Sequence, residues 1–191
     1  MDDIQHRDLL RIARATICAE LGDVSQPSSP TVSFSGSFSG AFVTLRHGKR
    51  LRGCMGTFEP RSSLDETVRV VARLACKDPR FKADPITPAE LTDVRIEVSI
   101  LGRLERTSEP QALQVGTHGI LIRSGDHSGC FLPQVAEEHG WNAEEFLSRC
   151  CSMKCGLPPE AWRQPDTQVE LFTAEVFAEE CDADSRPLAC D

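Results

Sequence analysis

Twice along this chain the same order of signals recurs, and that recurrence limits the fold more than any single residue does. In the first pass Phe42-Val43-Thr44-Leu45 is strand-like, His47-Gly48-Lys49 suits a turn, and Leu51 to Thr57 returns as a second strand. Ser63 and Glu66 form a capping box for a helix that carries Leu64, Val68, Val71 and Ala75 on one stripe and cannot pass Pro79. Thr87, Pro88 and Glu90 begin another short helix, and Val94 to Leu101 alternates as a half-buried strand does. In the second pass Ile120-Leu121-Ile122, the turn Gly125-Asp126-His127-Ser128-Gly129 and Cys130-Phe131-Leu132 repeat strand, turn and strand. Pro133 opens a short helix ending at Gly140, and Asn142 and Glu145 cap the next, which carries Phe146, Leu147, Cys150 and Cys151 and stops at Gly156. Val169 to Phe177 closes the series as a strand. The halves share few residues, so this is a repeat of pattern. It predicts an α+β protein with two related units around shared sheets.

The repeats cover about 41–101 and 119–178 of a domain expected over 41–178. Ahead of it, Ile4 to Leu21 reads as an amphipathic helix within segment 1–24, with Leu10, Ala13, Ile17 and Leu21 along one stripe. Segment 25–40 holds Pro27, Pro30, many serines and a doubled Ser-Phe-Ser-Gly, and reads as a loop with Phe34 and Phe38 as anchors. The tail, 179–191, is acidic, contains Pro187 and is expected to fray.

The net charge of −8 disfavours a nucleic-acid partner, because neutralising phosphates needs a concentrated basic surface. Arg46, Lys49, Arg50 and Arg52 do cluster locally, which suits a small anion or a solvated strand equally. No apolar run approaches the ~18 residues that cross a bilayer, so no membrane partner is expected. Met1-Asp2-Asp3-Ile4 lacks the basic start of a secretory signal. Nine cysteines cannot all pair internally and show no compact disulfide framework, so they read as reduced thiols in a cytoplasmic protein.

Chemistry concentrates in Arg52-Gly53-Cys54-Met55-Gly56. Along an extended strand, side chains two apart share a face at a separation of roughly 7 Å. Arg52 and Cys54 are therefore expected to point the same way, with Leu51 and Met55 turned into the core. A fixed guanidinium near a thiol favours the thiolate. Gly53 and Gly56 leave bare backbone on either side, where a ligand could approach. The plainer reading is a buried cysteine and a strand bend.

Gly40 to Leu45 followed by Leu51-Arg52-Gly53-Cys54-Met55-Gly56 resembles the hallmark of the AMMECR domain family, in which Met55 is more often isoleucine. Further matches follow in the family's order: Asp78-Pro79-Arg80-Phe81, Ile96 to Leu101, and Gly116-Thr117-His118-Gly119-Ile120. Then come Leu132-Pro133-Gln134-Val135-Ala136 with Gly140-Trp141, and Lys154-Cys155-Gly156-Leu157 with Trp162. The likeness runs from about Gly40 to Phe177. It implies an α+β fold of duplicated β-α-β-β units forming a barrel-like pair of sheets. It also implies kinship with protein A of the AmmeMemoRadiSam system, and so association with a Memo-type protein and a radical-SAM enzyme. It supplies neither a reaction nor a cofactor. Cys155 stands where the family usually has alanine, and the serine-rich loop is particular to this chain.

The leading expectation is a cytosolic enzyme or enzyme component with Cys54 as a reactive thiol acting on a small anionic molecule, Arg52 holding the anion. His118, between two glycines, is the candidate base; a turn histidine bonded to backbone is the competing account. Gly53, Gly56, Glu97, Arg80 and Gln134 complete the candidate binding set, although a solvated strand residue explains Glu97 and a local ion pair with Asp78 explains Arg80. The alternative is a non-catalytic module that docks on a Memo-type protein or a radical-SAM enzyme. A third reading makes Cys150, Cys151 and Cys155 a metal sensor, but without CxxC or a following histidine their spacing favours apolar packing and no metal is expected. Gly36-Ser37-Phe38-Ser39-Gly40 is no nucleophile elbow, because Phe38 occupies its centre.

Overall fold

The computed structural model describes residues 1–22, 32, 34 and 36–180, so most of the 25–40 loop and the tail beyond Glu180 lie outside the described residues. Two compact units divide the chain: Met1–Leu101 joined by the described residues from Glu175 on, and Gly102–Ala174.

The first unit opens with α1 (Asp3–Glu20), started by the Asp2 carboxylate, which accepts from the Gln5 N–H. Its buried stripe keeps Ala13 and Ile17 as expected, but Leu9 and Ile12 lead it; Leu10 is only half-buried. A hairpin follows, β1 (Gly40–His47) and β2 (Arg50–Thr57), turned by Gly48 in the left-handed region. Next come α2 (Leu64–Cys76) and β3 (Val94–Leu101). Ser63 caps α2 by accepting from Glu66 N–H at 3.4 Å, but the expected box stays half-closed: the Glu66 carboxylate accepts from Ser62 Oγ at 2.6 Å instead. Alternation does the rest. Ala41, Val43 and Leu45 of β1 and Ile96, Val98 and Ile100 of β3 are buried with Leu64, Val68 and Val71 of α2 and the stripe of α1. Each buried valine, leucine or isoleucine contributes roughly 2 kcal/mol.

The second unit contains β4 (Glu105–Arg106), the hairpin β5 (Gly119–Ser124) and β6 (His127–Phe131), then α3 (Pro133–His139) and α4 (Ala143–Cys150). The last helix runs on as a π-helical turn, Cys151–Cys155, and ends at Gly156 in the left-handed region. The strand expected from Val169 to Phe177 is in fact two. β7 (Gln168–Phe172) joins the second sheet, and after Thr173 β8 (Ala174–Ala178) joins the first. The strand orders are β2-β1-β3-β8 and β4-β7-β5-β6, with antiparallel hairpins in both. Among the described residues, neither sheet closes on itself as a barrel. Among the described residues, no helix is long and apolar enough to cross a membrane.

β2 is an edge strand, and one buried side chain fixes it. The register with β1 shifts between Leu45 and Arg46, a bulge that leaves Arg52 without a partner on β1. Its side chain, 2% exposed, enters the segment from Asp84 to Glu90. There Nε and Nη2 donate to the two oxygens of Glu90 at 2.7 and 3.0 Å. Nη1 donates to the carbonyl and carboxylate of Asp84, and Nη2 also to the Pro85 carbonyl. All five N–H donors are thereby engaged, as a buried guanidinium requires. Glu90 also accepts from the N–H and hydroxyl of Thr87, starting the 3₁₀ turn Pro88–Glu90.

Hydrogen bonds from Arg52 hold the Glu90 carboxyl at about 2 rather than its usual 4.5. A depressed carboxylate contributes stability that is complete above its unfolded-state pKa and lost as pH falls through the folded one. Glu90→Gln should therefore cost on the order of 2 kcal/mol near neutrality, where it leaves a buried guanidinium half-paired. The gap from wild type should close between about pH 4.5 and 2, as the wild-type carboxyl protonates. Urea unfolding at a series of pH values checks this; a gap constant down to pH 2 would show that Glu90 is not the group being titrated. Gly53→Ala places a Cβ on the Ala75 carbonyl oxygen at the end of α2. Overpacking of that kind should lower stability by about 2 kcal/mol, and an unchanged thermal midpoint would mean that α2 yields instead.

Candidate functional site

Cys54 stands on β2 opposite Thr44 of β1, and Thr44 is opposite Glu97 of β3, so the three side chains form one row across the sheet. The row lies on the face away from α1 and α2, because the alternate residues Val43, Leu45, Ile96 and Val98 belong to the helix-facing core. Cys54 is partly exposed, while Thr44 beside it is buried. The Thr44 hydroxyl donates to Cys54 Sγ at 3.2 Å.

The backbone of Cys54 is held as firmly. Its N–H donates to Asp78 Oδ2 at 2.9 Å, and its carbonyl accepts from Arg80 Nη2 at 3.1 Å. Asp78 and Arg80 follow α2 around the 3₁₀ turn Pro79–Phe81, which Asp78 starts by accepting from the Arg80 N–H at 3.0 Å. Together they meet the edge of β2 much as a neighbouring strand would. The Asp78 side chain is 1% exposed; burial opposes its charge, but hydrogen bonds from Arg80 and the Cys54 N–H keep it below the usual carboxylate range. Arg80, half exposed, is raised above the ordinary arginine value chiefly by the Asp78 hydrogen bond. Its Nε and Nη2 donate to Asp78 and to the Cys54 carbonyl, bonds in which Nη1 takes no part, and a hydrogen bond with the Cys54 side chain also raises the guanidinium.

Several expectations change. Arg52 is no anion holder: the bulge takes it out of simple alternation, and its donors are all engaged within the protein. The guanidinium beside the thiol belongs to Arg80. Nor are the two glycines bare approaches for a ligand. Gly53 lies under the Ala75 carbonyl at the end of α2, and the space a Cβ would take at Gly56 is filled by the ring of Phe42. Gly53, not Leu51, faces the helix beside Met55; Leu51 is half-buried outside the core. Glu97 does share the row of Cys54.

His118 and Gln134 belong to the second unit. His118 Nδ1 accepts from the Gln114 N–H at 3.0 Å, and the His118 backbone N–H donates to the Gln114 carbonyl at 2.9 Å, so it is a turn histidine bonded to backbone. The polar partners of Cys54 in its own unit are Thr44, Asp78 and Arg80. Gln134 lies in the first turn of α3.

The second sheet holds a counterpart of the Cys54 strand. Leu45 pairs with Gly53 three residues before the turn glycine Gly48; Ile122 pairs with Gly129 three residues before Gly125. Gly53 lies under the end of α2, and a Cβ at Gly129 would overlap Lys154 and Cys155 at the end of the π turn. Cys130 therefore corresponds to Cys54, and its row, Cys130, Leu121 and Glu170, corresponds to Cys54, Thr44 and Glu97. Leucine replaces the hydroxyl donor.

The remaining described thiols are packing residues. Cys18, Cys76, Cys150, Cys151 and Cys155 are buried. Burial pushes Cys76 and Cys151 up to about 11. A hydrogen bond with Cys155, together with burial, holds Cys150 protonated still more strongly. Among the described residues, no group of three or more His, Cys, Asp or Glu side chains is arranged to hold a metal ion. One cavity of about 230 Å³ lies between α1 and α2, and another of about 680 Å³ is lined by Arg106, Trp162 and Arg163; neither is lined by Cys54.

Missed in the sequence were Thr44 as donor to the sulfur, Asp78 as clamp of the Cys54 backbone and Phe42 as the cover of Gly56. Counting outward from the turn, where His47 pairs with Arg50, puts Thr44 opposite Gly53; the bulge moves it to Cys54.

The AMMECR1 family profile matches residues 10–177. A protein of Thermococcus gammatolerans is 40% identical over 185 residues, covering 90% of this chain and 89% of its own. One of Methanopyrus kandleri is 40% identical over 184 residues, covering 90% and 87%. The crystal structure of an uncharacterized protein from Pyrococcus horikoshii matches with a TM-score of 0.84 at 34% identity, over 98% of this chain and 95% of that one. The chain belongs to the AMMECR1 family.

Proposed function

We propose that this protein presents Cys54 as a reactive thiol to a small anionic molecule, and that Arg80 is the group that holds the anion. The observation that carries the reading is the half-used guanidinium. Asp78 and the Cys54 carbonyl fix one side of Arg80 through Nε and Nη2, leaving Nη1 outside those bonds and beside the thiol strand. A guanidinium held on one side is oriented before an anion arrives, so little side-chain entropy is lost on binding. The sulfur is prepared in the same way: the sheet and Asp78 fix the Cys54 backbone, and the Thr44 hydroxyl points at Sγ. That hydroxyl can stabilise a thiolate as it forms. Glu97, across the same row, is the candidate proton donor or acceptor for the bound molecule. The protein then works as an enzyme or as the thiol-bearing component of one.

Cys130 provides a control within the molecule, since it occupies the matching strand position in the second sheet with leucine in place of the threonine donor. Alkylation read cysteine by cysteine from peptide masses should show Cys54 reacting faster than Cys130 with iodoacetamide. At Cys54 it should show a further preference for the anionic reagent, iodoacetate. Arg80→Gln should lower the iodoacetate-to-iodoacetamide rate ratio at Cys54 by about threefold, in keeping with the modest strength of partly exposed ion pairs. Arg80→Lys, which keeps the charge, should restore part of it. A Cys54 no more reactive than Cys130, or a ratio indifferent to Arg80→Gln, would remove the reading.

A further inference from the structure

We propose that the anion taken by this site is a planar, aromatic carboxylate whose ring stacks on Phe42. The inference rests on the assignment of Cys54 and Arg80 above and narrows the class of molecule they receive. Phe42 is opposite Gly56 on β1, one row along from the Thr44–Cys54 pair and on the same face of the sheet. Diagonal neighbours of that kind have their side chains within reach of one another, roughly 7 Å apart. The ring does not stand away from the sheet. It lies across β2 where the side chain of residue 56 would otherwise project, and only a glycine at 56 permits this. Phe58 holds it from the edge, with centroids 5.7 Å apart and planes at 73°. A ring laid on glycine backbone has one face covered, and Phe42 remains partly exposed. The result is a braced aromatic surface beside the thiol, with the outer edge of Arg80 near Cys54.

Those three groups select by shape as well as charge. A small aliphatic carboxylate can meet Arg80 but leaves Phe42 uncovered. A neutral aromatic can cover Phe42 but gives Nη1 nothing to bind. A planar carboxylate meets both, and its body then lies over the strand that carries Cys54. Buried negative charge nearby does not exclude it, because Asp78 is turned into the Cys54 N–H and the Arg80 guanidinium.

Protection of Cys54 in the intact wild-type chain tests this directly. With iodoacetamide as the labelling reagent, millimolar benzoate should slow modification of Cys54 by about threefold or more, while acetate and benzamide at the same concentration should slow it little. Cys130 should be indifferent to all three. Phe42→Leu should abolish the protection by benzoate, and Phe42→Tyr should retain it. If Phe42→Leu fails to fold, the wild-type series decides alone. Equal protection by benzoate and acetate, or none from either, overturns the aromatic assignment while leaving a thiol that outpaces Cys130 intact. A Cys54 no faster than Cys130 overturns the underlying site and this inference with it.

Discussion

An edge strand presents a row of peptide groups to whatever lies beside it, and its side chains lack the second neighbour that would otherwise fix them. β2 is such a strand, and two arginines anchor its outer side in opposite ways. Arg52 is buried and saturated, with five donors shared among Glu90, Asp84 and Pro85. Arg80 is half exposed and half used, gripping the backbone of Cys54 with one side while Nη1 takes no part in that grip. The first fixes where the strand runs. The second, with Asp78, fixes how one residue of it is offered. Without the first, the second has no stable target, since a bulged edge strand can slip in register.

The duplication within the chain separates what the fold demands from what it does not. A turn glycine, a strand glycine under a helix end and a cysteine after it occur in both hairpins: Gly48, Gly53 and Cys54 in one, Gly125, Gly129 and Cys130 in the other. A helix end that approaches a strand so closely leaves no room for a Cβ, so the glycines answer to packing. A small side chain after each glycine is equally compatible with packing. The Gly-Cys pair is thus weak evidence of chemistry by itself. Where the hairpins differ is opposite the cysteine, since Leu121 stands where Thr44 does. The functional reading therefore rests on Thr44, Asp78 and Arg80 around the thiol.

The outline of this fold was legible because hairpins, caps and alternation are local. Gly48 and Gly125, Ser63 and Asn142, and the alternating run from Val94 each act within a few residues, and the turns, helices and strand form where they place them, although Val98 to Leu101 is buried on both faces. Two other features were decided at a distance. Val169 to Phe177 has the composition of one strand, yet it is shared between two sheets at Thr173, and strand propensity carries no record of which sheet a residue joins. The role of Arg52 failed for a related reason. Alternation assumes an unbroken ladder, and a one-residue bulge between Gly53 and Leu51 cannot be counted from the strand itself. Arg80 was legible as a candidate binding residue paired with Asp78; that this partner also holds the Cys54 N–H depends on where α2 ends relative to β2.

Charge alone is a poor means of holding an anion at this place. Arg80 is already matched by Asp78, the chain as a whole carries −8, and Glu97 lies on the same face of the sheet. An exposed ion pair is worth about 1 kcal/mol or less, and here it forms against a background of opposing charge. By contrast, covering roughly 100 Å² of aromatic surface contributes about 2.5 kcal/mol and is indifferent to the surrounding field. The two contacts therefore divide the work. In the proposed complex the ring of Phe42 would supply most of the affinity, and the outer edge of Arg80, directional because its other edge is clamped, would set which way round the molecule lies. Orientation is what a thiol fixed by Thr44 and Asp78 needs from its partner, since a nucleophile that cannot move reacts only with what is brought to it correctly aligned.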